Sequence, residues 1–122
     1  MIQISEYSRM LENELEIVRL QSEGLTDSDI FVQPLNGGNC LAWVLGHIAD
    51  GLVNIQKSLG GRVPASVPGL ERYGRGSEPI LRAEEGLLSL TELLDLIEQL
   101  NDAVQATLAQ MEEVDFEEEI DW

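Results

Sequence analysis

One short stretch of the sequence holds the residue types that could do chemistry. Residues 36–51, NGGNCLAWVLGHIADG, contain the only cysteine and the only histidine of the chain, Cys40 and His47, with Trp43 between them. An imidazole binds metal ions and transfers protons near neutral pH, and a deprotonated thiol is a nucleophile or a metal ligand. Three roles are therefore open for His47: a metal ligand, a general base, or a packed residue with one nitrogen hydrogen-bonded.

The position of His47 on its helix indicates a boundary site. At about 100° per residue, its side chain lies about 120° from the centre of the apolar stripe of the same helix, on a flank shared with Cys40, Trp43 and Asn54. A zinc site needs three or four ligands, yet the sequence has no second histidine and no Glu-x-x-His pattern. Cys40 is two turns away, about 10 Å along the axis. The residues alone therefore favour the packed, hydrogen-bonded histidine.

The other candidate residues have weaker signals. Cys40 lies near a helix start, where the helix dipole favours a thiolate, but without a partner residue a small buried hydrophobe is favoured. The turn at residues 36–39 could receive an anion, although it lacks the lysine of a phosphate-binding loop. Arg72 and the later loop arginines could attract an anion or be solvated. The predicted lining of a small-molecule cleft is Cys40, Trp43, Asn54 and Arg72.

Three amphipathic segments position these residues. The first ends near Gly24; the second begins at an Asn39 N-cap and ends at Gly60; the third begins at Ser89 with a capping box. Their apolar stripes are Ile4, Tyr7, Leu11, Leu15 and Val18; then Leu41, Val44, Leu45, Ile48, Leu52, Ile55 and Leu59; then Leu90, Leu94, Ile97, Asn101, Val104, Leu108 and Met111.

These segments predict an all-α fold, an antiparallel helical bundle with three long helices, because no segment shows the alternating pattern of a strand. The stripes are wide, and a fourth layer would cover them better. Residues 60–87 form a Gly/Pro-rich connection whose length is typical of functional loops. We assign residues 1–115 to the bundle domain and residues 116–122 to an acidic tail, weakly ordered unless its apolar side chains are covered.

The charge balance excludes several classes of partner. The 122 residues include 23 acidic and 7 basic side chains, for a net charge of −16. Such a surface repels phosphate backbones, so we expect no nucleic-acid and no membrane partner. The N-terminus lacks the basic-then-apolar pattern of a signal peptide, and a single cysteine gives no sign of an oxidising compartment. We therefore expect a cytoplasmic protein.

One part of the sequence resembles a known family. The stretch LTDSDIFVQPLNGGNCLAWVLGHIADGLVNIQKSLGG is similar to the start of the DinB-like (YfiT-like) superfamily. The matching positions are Leu25-Thr26, Pro34, Gly38-Asn39, Trp43 and Gly46-His47. ERYGRGSEP and SLTELLDLIEQL also resemble the connection between the second and third helices and the third helix of that family, so the resemblance covers roughly residues 1–115.

The resemblance implies a four-helix bundle, often dimeric, that holds zinc or nickel through three histidines. One of them matches His47, and the others form a His-x-x-x-His pair on a fourth helix that these residues do not contain. Related activities include thiol S-transfer, maleylpyruvate isomerisation and metal-dependent hydrolysis. We therefore expect a self-associating homodimer whose fourth layer is absent or supplied by the partner. The alternatives are a metal-dependent thiol S-transferase or hydrolase with His47 as one ligand, and a small-ligand binding module.

Overall fold

A computed structural model describes residues 2–119, with side chains to residue 116. Its helices are α1 (Ile4–Ser22), α2 (Leu41–Ser58), α3 (Leu90–Ala109) and the short α4 (Glu113–Glu119). Single turns of 3-10 helix lie at Asp29–Phe31 and Glu71–Tyr73. No strand occurs between residues 2 and 119, and the all-α prediction is confirmed. None of the helices in this range is both long and apolar enough to cross a membrane.

Helix α3 begins with the predicted capping box. The hydroxyl of Ser89 accepts the backbone N–H of Glu92 at 3.1 Å, and the Glu92 carboxylate accepts the backbone N–H of Ser89 at 3.0 Å. The backbone hydrogen bond from Ser89, assisted by the hydroxyl, holds the pKa of Glu92 below its usual range. The reciprocal bonds satisfy two backbone donors that a helix start would otherwise leave unpaired.

Helix α3 is also the central helix of the domain, because both α1 and α2 pack on it. The buried side of α3 is wider than its predicted apolar stripe and includes Leu93, Leu96 and Leu100, which are not in that stripe. A helix that contacts two neighbours must bury two adjacent sides, whereas the predicted stripe, with residues spaced alternately by four and three, describes only one. Leu94, which the stripe included, is only partly buried.

The long helices run in two directions. Along α1 and α3 the contacts occur in reverse order: Glu12 accepts a hydrogen bond from Asn101, and Arg19 pairs with Glu98. These two helices are therefore antiparallel. Helix α2 runs the same way as α3, since Gly61, just after the end of α2, lies against Thr107 in the last turn of α3.

The parallel arrangement of α2 and α3 explains the length of the connection between them. A chain that leaves the end of α2 must return to the level of its first turns before α3 begins. Helix α2 has 18 residues, which at 1.5 Å per residue is about 27 Å. Residues 60–89 cover this distance, so the long connection is a structural requirement of the topology.

The ends of α2 differ in how well the sequence predicts them. The predicted N-cap at Asn39 is wrong: Cys40 is the N-cap, and no side chain caps this helix. The carbonyl of Cys40 accepts the first helical hydrogen bond, from Val44, while Asn39 is exposed. The predicted stop is confirmed, because Gly60 has a φ of 76° and its N–H bonds to the carbonyl of Lys57.

The buried face of α2 is rotated by about 90° from its predicted stripe, counted at 100° per residue. The buried side includes Ala42, Gly46 and Ala49, none of which belongs to that stripe. Val44, by contrast, is 37% exposed, and Ile48 is only partly buried. Part of the predicted stripe, including Val44 and Ile48, thus lies outside the packed side of α2, while Leu45, Leu52 and Leu59 of the same stripe are buried.

The C-terminal segment packs against the start of the chain. Phe116, where the predicted tail begins, is fully buried, with its ring centroid 5.4 Å from that of Tyr7. Burial raises the pKa of the Tyr7 hydroxyl, and the nearby Glu14 carboxylate adds to this effect. The Glu113 carboxylate accepts the backbone N–H of Ile4 at 3.2 Å. Ile120 and Trp122, the other apolar residues of the predicted tail, lie outside the described residues.

Candidate functional site

A segment of the long connection, residues 70–81, lies across α2, and we call it the strap. The three residues singled out in the sequence hold it in place. Cys40 donates its S–H to the Ile80 carbonyl at 3.2 Å, and Trp43 donates its Nε1–H to the Ser77 hydroxyl at 2.9 Å. His47 contacts the Tyr73 carbonyl through Nδ1, also at 2.9 Å. The strap therefore runs antiparallel to α2. Successive anchors on the helix are three and four residues apart, which is about one helical turn each.

A close contact between Gly46 and Tyr73 adds to these anchors. The Tyr73 ring is 3% exposed and lies directly on the backbone of Gly46, where a Cβ atom would be 2.0 Å from the ring carbon Cδ1. The Tyr73 hydroxyl accepts the backbone N–H of Leu88 at 2.9 Å. One side chain thus joins α2, the strap and the residues that lead into α3.

His47 has the boundary position and the single hydrogen bond that its place on the helix indicated. It is partly buried and stacks on Trp43, with ring centroids 4.4 Å apart and planes 12° apart. Because the Tyr73 carbonyl only accepts hydrogen bonds, Nδ1 carries the proton in the neutral ring and Nε2 keeps its lone pair. Metal-binding histidines are often oriented by such a bond. Among the described residues, however, no three His, Cys, Asp or Glu side chains cluster as metal ligands would.

Two of the residues predicted to line a cleft, Cys40 and Trp43, bond to the strap, and a third, Arg72, belongs to it. Cys40 is 1% exposed and bonded, so it is the packed thiol that the sequence favoured. Arg72 donates to the carbonyls of Glu78 and Pro79 and pairs with Glu84 at 3.6 Å, which ties one strap residue to the rest of the loop. Asn54 is exposed on α2 and lines a surface hollow with Leu70 and Glu71, at the start of the strap. Cys40 and Trp43 of α2 and Arg72 of the strap therefore all help to hold the same loop in place.

A largely apolar hollow lies elsewhere, between α1 and α2, and we call it the α1–α2 groove. Its volume is about 210 Å³. Its lining residues are Leu11, Glu14, Leu15, Ile17, Val18, Ile48, Leu52, Ile97 and Asn101. Helix α3 supplies the floor through Ile97 and Asn101. The sequence contains a signal for this groove, because the predicted stripe of α2 includes Ile48 and Leu52, but periodicity does not show that this part of the stripe lines a groove instead of packing on a neighbouring helix.

Removal of the His47 side chain tests its anchoring role. We expect His47→Ala to lower the free energy of unfolding by about 1–2 kcal/mol, because it removes one hydrogen bond and one ring stack. The strap should also open more often, which speeds tryptic cleavage at the exposed Arg75. Urea denaturation and limited proteolysis measure the two effects.

The matched control for His47 is Asn54→Ala, at an exposed position of the same helix, where we expect a change within about 0.5 kcal/mol. Equal stability and equal cleavage rates in the two variants would contradict the anchoring role.

Comparison with known proteins agrees with this architecture. A sequence profile of the DinB superfamily matches residues 12–122, most of the chain. Neither the curated proteins nor the solved structures compared with the chain include a significant match. The matched range contains α2 with its strap-binding residues, the strap itself and α3. On this match the chain belongs to the DinB superfamily.

Proposed function

We propose that this chain is a self-associating helical-bundle domain and that the outer side of α1 is its contact surface. Four residues on that side follow a 3-4-3 spacing: Met10, Asn13, Ile17 and Leu20. We call them the outer seam. Met10, Ile17 and Leu20 are 49%, 54% and 61% exposed, and this exposed apolar row is the observation that carries the proposal.

The outer seam is distinct from the side of α1 that packs on α3. Its centre lies about 150° around the helix from the side that contains Leu11 and Leu15, at 100° per residue. A spacing of three and four residues is the pattern by which helices pair along a seam. Helix α1 therefore has one apolar side for its own bundle and a second for another helix.

A second copy of the chain is the partner that fits the seam. None of its four residues is charged, in a chain whose net charge is −16, so two seams can meet along Met10–Leu20 without a carboxylate in the row itself; the exposed Glu6, one turn before Met10 on the same side, lies at its end. A two-fold axis places the same residues opposite each other, and a self-complementary row needs no second kind of surface.

Sedimentation velocity at micromolar concentrations tests the proposal. We expect the wild-type chain to sediment as a dimer of its 13.5 kDa protomer. Leu20→Glu should weaken the dimer at least tenfold, because it places two carboxylates in the seam. The matched control is Leu35→Glu, at a fully exposed leucine in a loop, which should leave the dimer unchanged. A monomeric wild type, or equal effects of the two substitutions, would overturn the proposal.

A second candidate function is a metal-dependent thiol S-transferase or hydrolase, and the hydrogen bond of His47 favours it. Nδ1 is occupied by the Tyr73 carbonyl, which leaves Nε2 as the nitrogen for a metal ion. The described residues supply no further ligand set, so zinc or nickel does not fit them alone. Metal analysis tests this candidate: one equivalent that His47→Ala removes would support it, and none above background would contradict it.

A further inference from the structure

The connection between α1 and α2 contains an exposed asparagine–glycine pair, Asn36–Gly37. The two residues belong to a turn over residues 34–37, in which the backbone N–H of Gly37 donates to the carbonyl of Pro34. Asn36 is exposed, and its side chain makes no hydrogen bond with residues 2–116. The carboxamide of Asn36 is therefore free to rotate against the backbone that follows it.

The backbone of this turn requires a glycine after Asn36. Gly37 has a φ of 82° and the next residue, Gly38, has a φ of 100°, values that residues with a Cβ atom rarely adopt. A Cβ atom on Gly37 would have no neighbour within 4 Å, so open space surrounds this residue. Because Gly37 has no side chain, nothing screens its backbone nitrogen from the carboxamide of Asn36.

An asparagine in this setting can react with the backbone of the residue that follows it, and asparagine is accordingly a thermolabile residue type. The Gly37 nitrogen gives up its proton to solvent and attacks Cγ of Asn36. A bond forms between that nitrogen and Cγ, the bond from Cγ to the carboxamide nitrogen breaks, and the released nitrogen takes up a proton and leaves as ammonia. Water then opens the succinimide ring at either of its carbonyls, which yields an aspartyl or an isoaspartyl residue. Water is the only co-reactant.

A second pair of the same kind, Asp50–Gly51, shows why the fold matters. It also places a side-chain carbonyl carbon before a glycine, but it lies inside α2. The N–H of Gly51 there bonds to the carbonyl four residues earlier, so the attack would require α2 to open locally. The bond from Gly37 to Pro34 is 3.3 Å long, beyond the usual range of roughly 2.7–3.2 Å, and closes only an exposed turn. The turn therefore permits a reaction that the helix prevents.

We propose that Asn36 is a site of slow, irreversible covalent modification, at which attack by the Gly37 nitrogen and addition of water convert the asparagine into aspartate and isoaspartate. The other four asparagines all precede a residue with a side chain, which hinders the attack. Three of them also lie in helices: Asn13, Asn54 and Asn101. The fourth, Asn39, is exposed in the same connection and is the natural comparison. The proposal is independent of self-association, because the turn is not part of the outer seam.

The modification changes a segment that joins two contacts with the strap. Gln33 and Cys40 lie on either side of the turn, and the side chains of both donate to the carbonyl of Ile80, at 3.1 and 3.2 Å. Both products place a new carboxylate between these two residues, and the isoaspartyl product also adds a methylene group to the main chain there. The reaction thus alters the charge and the length of the chain that leads into α2.

Incubation of the full chain in heavy-oxygen water at mildly alkaline pH, followed by peptide mass spectrometry, tests the proposal. Each conversion adds a heavy oxygen atom to residue 36, and chromatography separates the aspartyl and isoaspartyl peptides. In the folded chain we expect label to accumulate at Asn36 about tenfold faster than at Asn39, which corresponds to a barrier lower by about 1.4 kcal/mol. Asn36→Gln should abolish labelling at residue 36, because glutamine must close a larger ring. The matched control, Asn39→Gln, should leave labelling of Asn36 unchanged.

The same incubation of the chain unfolded in guanidinium chloride separates the effect of the fold from that of the sequence. Asp50 should acquire label only in the unfolded chain, because α2 protects it, whereas Asn36 should acquire label in both states. Three results would overturn the proposal: equal labelling of Asn36 and Asn39 in the folded chain, labelling of Asn36 only after unfolding, or labelling of Asp50 at the same rate in both states.

Discussion

Gly46→Ala is expected to lower the free energy of unfolding by about 3 kcal/mol, the upper part of the range for an overpacked core site. The added methyl group would lie 2.0 Å from Cδ1 and 2.2 Å from Cγ of the Tyr73 ring. Neither atom is at the flexible end of a side chain, and Tyr73 is held at its other end by the bond from Leu88 to its hydroxyl. The ring can move only if the strap leaves α2.

The expected loss in Gly46→Ala is opposite in sign to the intrinsic preference of the helix. Alanine in a helix interior is favoured over glycine by about 0.5–1 kcal/mol. Gly51 provides the matched control, because it lies in the same helix and a Cβ atom there would have no neighbour within 4 Å. Gly51→Ala should therefore raise the free energy of unfolding by about that amount.

Urea denaturation followed by circular dichroism measures the free energy of unfolding of both glycine variants. The difference between the two values is free of errors common to both measurements. If Gly46→Ala were as stable as the wild type, the Tyr73 ring would not occupy this position on α2. A stability loss without faster proteolysis of the strap would place the strain elsewhere in the core.

The elements of this fold that the sequence predicts well are those fixed by local bonds. The capping box at Ser89 depends on a residue three positions away, and the stop at Gly60 depends on one backbone angle. The start of α2 is harder to predict, because Asn39 is a residue type that often caps helices, yet its side chain does not cap this helix. The helix instead starts one residue later than predicted, with Cys40 as the N-cap, and the Cys40 thiol bonds to the carbonyl of Ile80 in the strap.

The side of α2 that is buried could not be predicted from the helix alone. Hydrophobic periodicity favours the side with the largest aliphatic residues, yet Ala42 and Ala49 are buried while Val44 is exposed. Small residues let another segment approach closely, and here Tyr73 of the strap lies against Gly46 of the same side. The path of a loop is set by such tertiary contacts, which produce no periodic pattern of residues in the sequence.

In the candidate site too, some features follow from the sequence and others depend on tertiary contacts. The boundary position of His47 follows from helical geometry, and so does the polar place of Asn101 in the third stripe. Which carbonyl His47 contacts, and which side chain pairs with Asn101, depend on how three helices and the strap meet. Three residues of the predicted cleft, Cys40, Trp43 and Arg72, hold the strap in place in the structure, and helical geometry alone does not show this contact.

Phe116→Ala should lower the free energy of unfolding by about 3–4 kcal/mol, as for other large aromatic residues removed from a core. The ring is fully buried beside Tyr7, although it belongs to a short acidic helix near the end of the described chain. Val114→Ala is the matched control, because Val114 is 60% exposed two residues earlier in α4. That change should stay within about 0.5 kcal/mol.

Titration of the Tyr7 hydroxyl gives a second measurement of the same contact. Burial raises the pKa of Tyr7 above its ordinary value of 10.0 because it disfavours the ionised phenolate. Loss of the Phe116 ring exposes Tyr7, so its ionisation should move to lower pH in Phe116→Ala and remain in place in Val114→Ala. A tyrosine titration unchanged by Phe116→Ala would show that α4 does not cover Tyr7, and the boundary of the domain would then lie before residue 116.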